Sequence, residues 1–136
     1  MTCDSITNKA PKGLERPIYV LHKHHARQLH YDLRLEIDNT LKSWAVPKGP
    51  PKDGRHLAVE VDDHLLGYAD FEGEIPEGQY GAGKVEIFDN GTFELIERSE
   101  KKIIFNLKGK KLKGEYVLVK FKEEKDKKLW LWFKKS

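Results

Sequence analysis

The sequence predicts an all-β chain, folded as a closed or nearly closed antiparallel barrel with little helix. Three observations carry this expectation. Short segments alternate apolar and polar residues with a period of two, as in "LHYDLRLEI" over residues 29–37. Clusters of Gly, Pro, Asn and Asp separate these segments at intervals typical of strand connections, and no segment sustains the 3.6-residue period of an amphipathic helix. Many short strands with regular turns suit a sheet closed on itself, which leaves no unpaired edge.

Residues 1–16 are polar, contain Pro11 and Gly13 and lack apolar periodicity, so they read as a flexible arm before a single domain over 17–136. "IYVLH" (18–22) is the first strand. In 28–37, Leu29, Tyr31, Leu33, Leu35 and Ile37 alternate with Gln28, His30, Asp32, Arg34 and Glu36, the pattern of a half-buried strand. "DNT" turns this strand into "LKSWAV" (41–46), its hairpin partner. A loop with three prolines (47–54) leads to the strand "HLAVEV" (56–61). Residues 62–83 hold five glycines and Pro76 and read as an irregular segment, long enough to line a functional site. "KVEIFD", an Asn90-Gly91 turn and "TFELIE" then form a predicted hairpin. "KIIFNL", "GEYVLVKF" and "KLWLWFKK" supply the remaining strands.

Composition narrows the chemistry. The 136 residues include three Trp, five Tyr and six Phe, enough for a packed core. No apolar run approaches the roughly 18–20 residues of a membrane span, and residues 1–13 have no signal-peptide apolar region, so a cytoplasmic protein without membrane contact is expected. Cys3 is the only cysteine, which leaves histidines and carboxylates as the donors for any metal. The net charge of +3 conceals an uneven distribution: +3 over residues 1–50, −9 over 51–100 and +9 over 101–136. A basic C-terminal third suits a polyanion such as nucleic acid, or else blocks aggregation at Lys-rich strand edges and turns.

The densest chemistry lies in "HKHHARQLHYDLRLEI" (22–37), with four of the six histidines in nine positions. Alternation puts His30, Asp32, Arg34 and Glu36 on one face. His30 and Asp32 are then roughly 6.5–7 Å apart along the strand, at about 3.3 Å per residue, within reach of a common ion. His24 could add a third ligand if "HARQ" bends, whereas His22 and His25 read as surface neighbours. Two imidazoles and a carboxylate suit Mn²⁺, Fe²⁺ or Zn²⁺, and the Arg34 fork matches phosphate oxygens. Metal and guanidinium together suggest phosphate-ester hydrolysis. The plain alternative is a solvated strand face, because H-x-D recurs by chance. "VDDHLLGYADFEG" adds His64 at a strand end and Tyr68 four residues on, as a proton or hydrogen-bond donor and a phenol donor to phosphate, or as an ordinary surface His and core Tyr.

"HHARQLHYDLRLEIDNTLKSWAVPKGP" and "LAVEVDDHLLGYADFEGEIPEGQYGAG" closely resemble the 3′-phosphoesterase domain of bacterial DNA ligase D and its free-standing archaeal and bacterial relatives. The resemblance is dense over about residues 18–90 and looser beyond. It implies a compact β-barrel bearing a crescent-shaped active-site groove, and a manganese-dependent activity on DNA or RNA 3′ ends in primer–template duplexes during end repair, with Co²⁺ or Zn²⁺ as alternative ions. A terminal ribonucleoside is removed to leave a 3′-phosphate, which is then removed to leave a 3′-OH. By motif position, His24, His30 and Asp32 are the implied metal ligands, and Arg34, His64 and Tyr68 the phosphate-binding and catalytic set. Lys48 is an implied further phosphate contact and Asp62 a group orienting His64 from behind. The family has an Arg just before "LAV"; here His56 stands there, preceded by Arg55, so either Arg55 covers the role or phosphate removal is weakened. A separate ligase and polymerase would act in trans. Two other classes compete: a non-catalytic module that binds nucleic-acid ends, and a general metal phosphatase for small esters, which would leave the basic C-terminal third without a use.

Overall fold

In the computed structural model, which describes residues 6–79 and 81–135, alternation along each strand sets the architecture. Nine strands are present among the described residues: β1 (Ile18–His25), β2 (Leu29–Ile37), β3 (Thr40–Val46), β4 (His56–His64), β5 (Gly73–Ile75), β6 (Gly83–Arg98), β7 (Lys102–Gly109), β8 (Lys113–Glu124) and β9 (Lys127–Lys134). Eight of them run β1-β2-β3-β4-β9-β8-β7-β6, and β6 returns to pair with β1, so the antiparallel sheet closes into a barrel. Short β5 is added to β6 outside the ring. No helix among the described residues is long and apolar enough to cross a membrane.

One face of each strand fills the barrel. Tyr19, Leu21, Leu33, Leu35, Trp44, Phe105, Leu118 and Trp132 are fully buried there. A second apolar layer lies outside the ring, where Ile18, Val20, Leu41 and Val85 are covered by a 3₁₀ helix (Leu66–Asp70), Phe71 and Ile75. This double cover explains why β1 reads as an unbroken apolar run rather than an alternating one. It also places the outer face of β1 and β2 beneath protein rather than solvent.

Residues 6–16 of the expected flexible arm are laid on this outer layer, while residues 1–5 lie outside the described residues. Ile6, Ala10 and Leu14 pack against the outer cluster. Thr7 O accepts from Gly67 N at 2.9 Å, and Asn8 Oδ1 accepts from Leu66 N at 2.9 Å. A side chain at 67 would put its Cβ 2.5 Å from Thr7 O, so the close approach of the arm needs glycine there.

The β2–β3 turn behaves as expected, with Asp38 and Asn39 at φ 56° and 60°, the two positive angles of a type I′ hairpin. The Asn90-Gly91 hairpin does not form. β6 runs through both residues; its first half pairs with β1 and its second with β7. Gly91 is required because three strands crowd together at that point: an added Cβ would lie 2.3 Å from Lys108 O. Barrel closure thus overrides a strong local turn signal, using glycine for close backbone approach rather than for a turn. The segment 62–83 is also more regular than expected, since β4 continues to His64 and β5 follows the 3₁₀ helix.

Buried Asp89 fixes the region where β6 overruns the end of β7. Its carboxylate accepts from Tyr19 Oη and from the backbone N–H groups of Lys110, Lys111 and Leu112, each at 2.9 Å. Burial beside this carboxylate pushes the Tyr19 phenol far above its ordinary range. Asp89→Ala strands Tyr19 Oη and the N–H groups of Lys111 and Leu112, with Lys110 N keeping Asn90 O at 3.3 Å, and should lower stability by roughly 3 kcal/mol or more in urea unfolding; a loss below about 1 kcal/mol would show the turn to be held by other means.

Candidate metal and phosphate site

Register assembles the site from four neighbouring strands. Opposite one another across β1 and β2 stand His22 with Asp32 and His24 with His30. Asp32 faces Ala45 of β3, and Arg34 faces Ser43. A bulge between Leu41 and Ser43 shifts β4 so that Leu41 meets His64. Parity then points His22, His24, His30, Asp32 and Arg34 outward, away from Leu21, Leu33 and Leu35 in the barrel. His24, His30, Asp32 and Arg34 floor a cleft of about 740 Å³, whose walls include Ile6 of the arm, Val61, Leu65 and Ile75.

His24, His30 and Asp32 offer donor atoms that all lie within 4.8 Å of one another. Their tautomers follow from their other contacts. His24 Nε2 is 2.8 Å from Gly81 O and 3.2 Å from Ala82 O, so it carries the proton and donates it. His30 Nδ1 is 3.2 Å from Gln28 O and does the same. The remaining lone pairs, on His24 Nδ1 and His30 Nε2, face Asp32 oxygens at 3.5 and 3.3 Å. Acceptors turned toward one another at these distances attract only with a cation or added protons between them. Backbone carbonyls that orient imidazoles from behind are the usual support of histidine metal ligands. The donor set therefore fits a divalent transition ion. Burial would raise the Asp32 pKa, but the hydrogen bonds that protonated His24 and His30 give it, with the Arg34 charge, outweigh that effect and hold the carboxylate far below its usual range. The His30 pKa is raised by its hydrogen bond to Asp32.

Arg34 binds the parts together. Its guanidinium donates from Nε to His22 Nδ1 at 3.0 Å, from Nη1 to Ser43 Oγ at 2.9 Å and from Nη2 to Asp32 Oδ2 at 3.3 Å. Nη1 also approaches His64 Nδ1 at 3.1 Å, and the Tyr68 ring lies 4.9 Å from Cζ. Because arginine has only donors, His22 Nδ1 and His64 Nδ1 accept, and each neutral ring carries its proton on Nε2. Burial and the Arg34 charge hold the His22 pKa down to about 3 and the His64 pKa down to about 4. His22 Nε2–H is 3.1 Å from Phe71 O, while the His64 ring leans on Tyr68 with centroids 4.6 Å apart.

His22 was expected at the surface and is fully buried. The expectation failed because it assumed an open outer face, whereas Phe71 and the 3₁₀ helix cover β1 there. His25 is exposed, paired with Glu86. The Asp62 contact to His64 is made by its main-chain carbonyl, 3.1 Å from Nδ1, and it is neighbouring Asp63 that lines the cleft. Lys48, Arg55 and His56 are outside the cleft lining. Lys48 is exposed on the β3–β4 loop, Arg55 lies over the Phe133 ring at 4.7 Å, and His56 Nδ1 is 2.7 Å from Gly49 O. Ser43 escaped the sequence reading, although its place opposite Arg34 follows from the 38–39 hairpin register.

The family model for the DNA ligase D 3′-phosphoesterase domain matches residues 22–120. The chain is 50% identical over 121 residues to the multifunctional non-homologous end joining protein LigD of Pseudomonas aeruginosa, covering 82% of this chain and 14% of that protein. It is 43% identical over 125 residues to the corresponding DNA repair protein of Mycobacterium tuberculosis, covering 88% and 16%. Against that of Mycolicibacterium smegmatis it is 40% identical over 134 residues, covering 89% and 18%. The chain thus spans less than a fifth of the length of these relatives.

If His22 is the back support of Arg34, His22→Phe leaves a buried guanidinium N–H and the Phe71 carbonyl without partners. Stability should fall by about 2–3 kcal/mol in denaturant unfolding, with His22→Gln recovering part of the loss. Equal stability of the Phe variant and wild type would remove His22 from that role.

Proposed function

The chain belongs to the DNA ligase D 3′-phosphoesterase domain family, and on that premise we propose that it is a Mn²⁺-dependent 3′-end-healing phosphoesterase for DNA or RNA. The observation that carries this reading is one cleft in which a His₂Asp donor set and the charged Arg34 share the Asp32 carboxylate. His24 Nδ1, His30 Nε2 and Asp32 would hold the ion, which supplies Lewis-acid chemistry toward phosphate and water. Arg34 places fixed positive charge at the cleft floor, where the charge of a phosphoryl transition state spreads over oxygens. His64, neutral near pH 7, presents Nε2–H as a hydrogen-bond donor to a phosphate oxygen, and Tyr68 buttresses its ring. Ile6, Val61 and Leu65 give the sugar and base an apolar wall and exclude water.

Two hydrolyses follow in order. In the first, a water oxygen bonds to phosphorus and the P–O5′ bond breaks. The terminal ribonucleoside leaves with a proton on its 5′ oxygen, and the phosphate stays on the penultimate 3′ oxygen. In the second, another water attacks and the P–O3′ bond breaks, releasing inorganic phosphate and a 3′-OH. An end with a 3′-OH is what a ligase or polymerase consumes, so such enzymes of an end-joining system are the proposed partners.

The test is a 5′-labelled primer–template ending in a single 3′ ribonucleotide, incubated with Mn²⁺. A shortened strand bearing a 3′-phosphate, and then a 3′-OH, is expected. Chelator should abolish both products. Asp32→Ala should reduce turnover by ~10³-fold or more, and Arg34→Lys by ~10²–10³-fold, because a lysine cannot reproduce the guanidinium fork. Processing of a 3′-phosphate strand alone would limit the enzyme to the second step. No product with any divalent ion would leave a nucleic-acid-end binding module in its place.

A further inference from the structure

The open end of the barrel carries a second basic cavity that the proposed reaction does not use. It occupies about 610 Å³ and includes Lys52 of the β3–β4 loop, Phe88 of β6, Lys111 and Lys113 at the β7–β8 turn, Tyr116 of β8 and Lys134 of β9. No carboxylate among the described residues forms a salt bridge with any of the four lysines, whereas Lys120, Lys122 and Lys135 of the same basic third are each paired. Aromatic faces lie against two of the four: Lys111 Nζ is 4.0 Å from the Phe88 ring and Lys134 Nζ 5.8 Å from that of Tyr116. With Arg55 over Phe133, three of the four cation–π contacts among the described residues lie at this end. A cation held by a ring stays in place without being neutralised. Two acidic groups nearby are engaged, Glu115 by Lys135 at 2.9 Å and buried Asp89 by the backbone of the turn, while Asp53 is exposed beside Lys52.

The cavity backs onto the cleft. His30 and Asp32 point out from β2 to the metal site, and Tyr31 between them points the other way, its ring 5.3 Å from that of Phe88. Gly49 packs the proline-rich β3–β4 loop onto Tyr31, where an added Cβ would sit 2.9 Å from the ring. That loop packs against the strand that bears His30 and Asp32, and it presents exposed Lys48 and Lys52.

We propose that this barrel mouth is a phosphate-backbone contact for the nucleic-acid strand whose 3′ end occupies the cleft, an inference that rests on the proposed function. Lys52, Lys111, Lys113 and Lys134 bind strand phosphates a few nucleotides from the reacting end. Base identity is not read there, because ammonium groups carry no fixed hydrogen-bond pattern and phosphate contacts position rather than specify.

The experiment compares wild type with K52Q/K111Q/K113Q/K134Q and with a control that removes equal charge at the opposite end, K101Q/K102Q/K127Q/K128Q. Duplex affinity is measured by fluorescence anisotropy across a salt series. Loss of four phosphate contacts should flatten the slope of log K against log salt by up to about 3.6, and weaken binding ~10-fold or more at low salt, with the control near wild type. Turnover of a 3′-phosphorylated dinucleotide, too short to reach the mouth, should be unchanged in the mouth variant. Equal affinity and slope in the mouth variant and wild type would overturn the inference while leaving the proposed function standing. Equal losses in mouth and control variants would reduce it to net charge and also overturn it. Tight binding of inorganic phosphate that is lost in the mouth variant, with duplex binding intact, would assign the cavity to free phosphate instead. If wild type neither binds nor processes duplex, the parent reading falls and this one with it.

Discussion

A guanidinium buried to 3% exposure beneath the outer layer of the barrel is the constraint on which the site depends. A buried charge costs several kcal/mol unless paired and hydrogen-bonded. Arg34 meets that demand with a carboxylate on its own strand, an imidazole on β1, a hydroxyl on β3 and an imidazole at the end of β4. Each partner is thereby held to one orientation. Asp32 is turned toward His24 and His30, His22 and His64 are kept neutral in one tautomer, and the aromatic faces of Tyr68 and His64 close over the group. The electrostatic environment is built before any substrate enters, which is how fixed dipoles and charges lower a barrier without reorganising during reaction.

Much of the barrel was legible because period-two alternation is dictated by the pleat. The faces of β2 follow directly: Leu33 and Leu35 inside, Asp32 and Arg34 outside. The 38–39 turn was legible for the same local reason. What escaped was non-local. Asn90-Gly91 carries the strongest hairpin signal in the chain, yet the approach of Lys108 makes glycine necessary within a continuous strand. Nothing near Gly91 in sequence reports the position of β7. His22 escaped likewise, because its cover comes from Phe71, far along the chain.

The site shows the same division. His30, Asp32 and Arg34 were reachable from strand parity alone; His24, His64 and Tyr68 were offered by position with ordinary alternatives open, and motif resemblance assigned their roles; all six line the one cleft. The carbonyls of Gly81 and Ala82, which fix the His24 tautomer, left no trace in side-chain chemistry. Docking of the arm through Ile6, Thr7 and Asn8 was equally hidden, since a polar segment without periodicity gives no hint that the Thr7 carbonyl and the Asn8 side chain seat it over the 3₁₀ helix. Within the basic third of the sequence, Lys120, Lys122 and Lys135 are paired with carboxylates, whereas Lys111 and Lys134 rest on aromatic rings.

The central claim is that two imidazoles of fixed tautomer and one carboxylate hold a divalent ion beside Arg34. Electron spin echo modulation of the protein loaded with one equivalent of Mn²⁺ tests it most directly, because coordinated imidazole nitrogens modulate the echo. The expected result is coupling to two histidine nitrogens in wild type, reduced to one in H24Q and in H30Q. A signal without nitrogen coupling, or one unchanged in both variants, would contradict it.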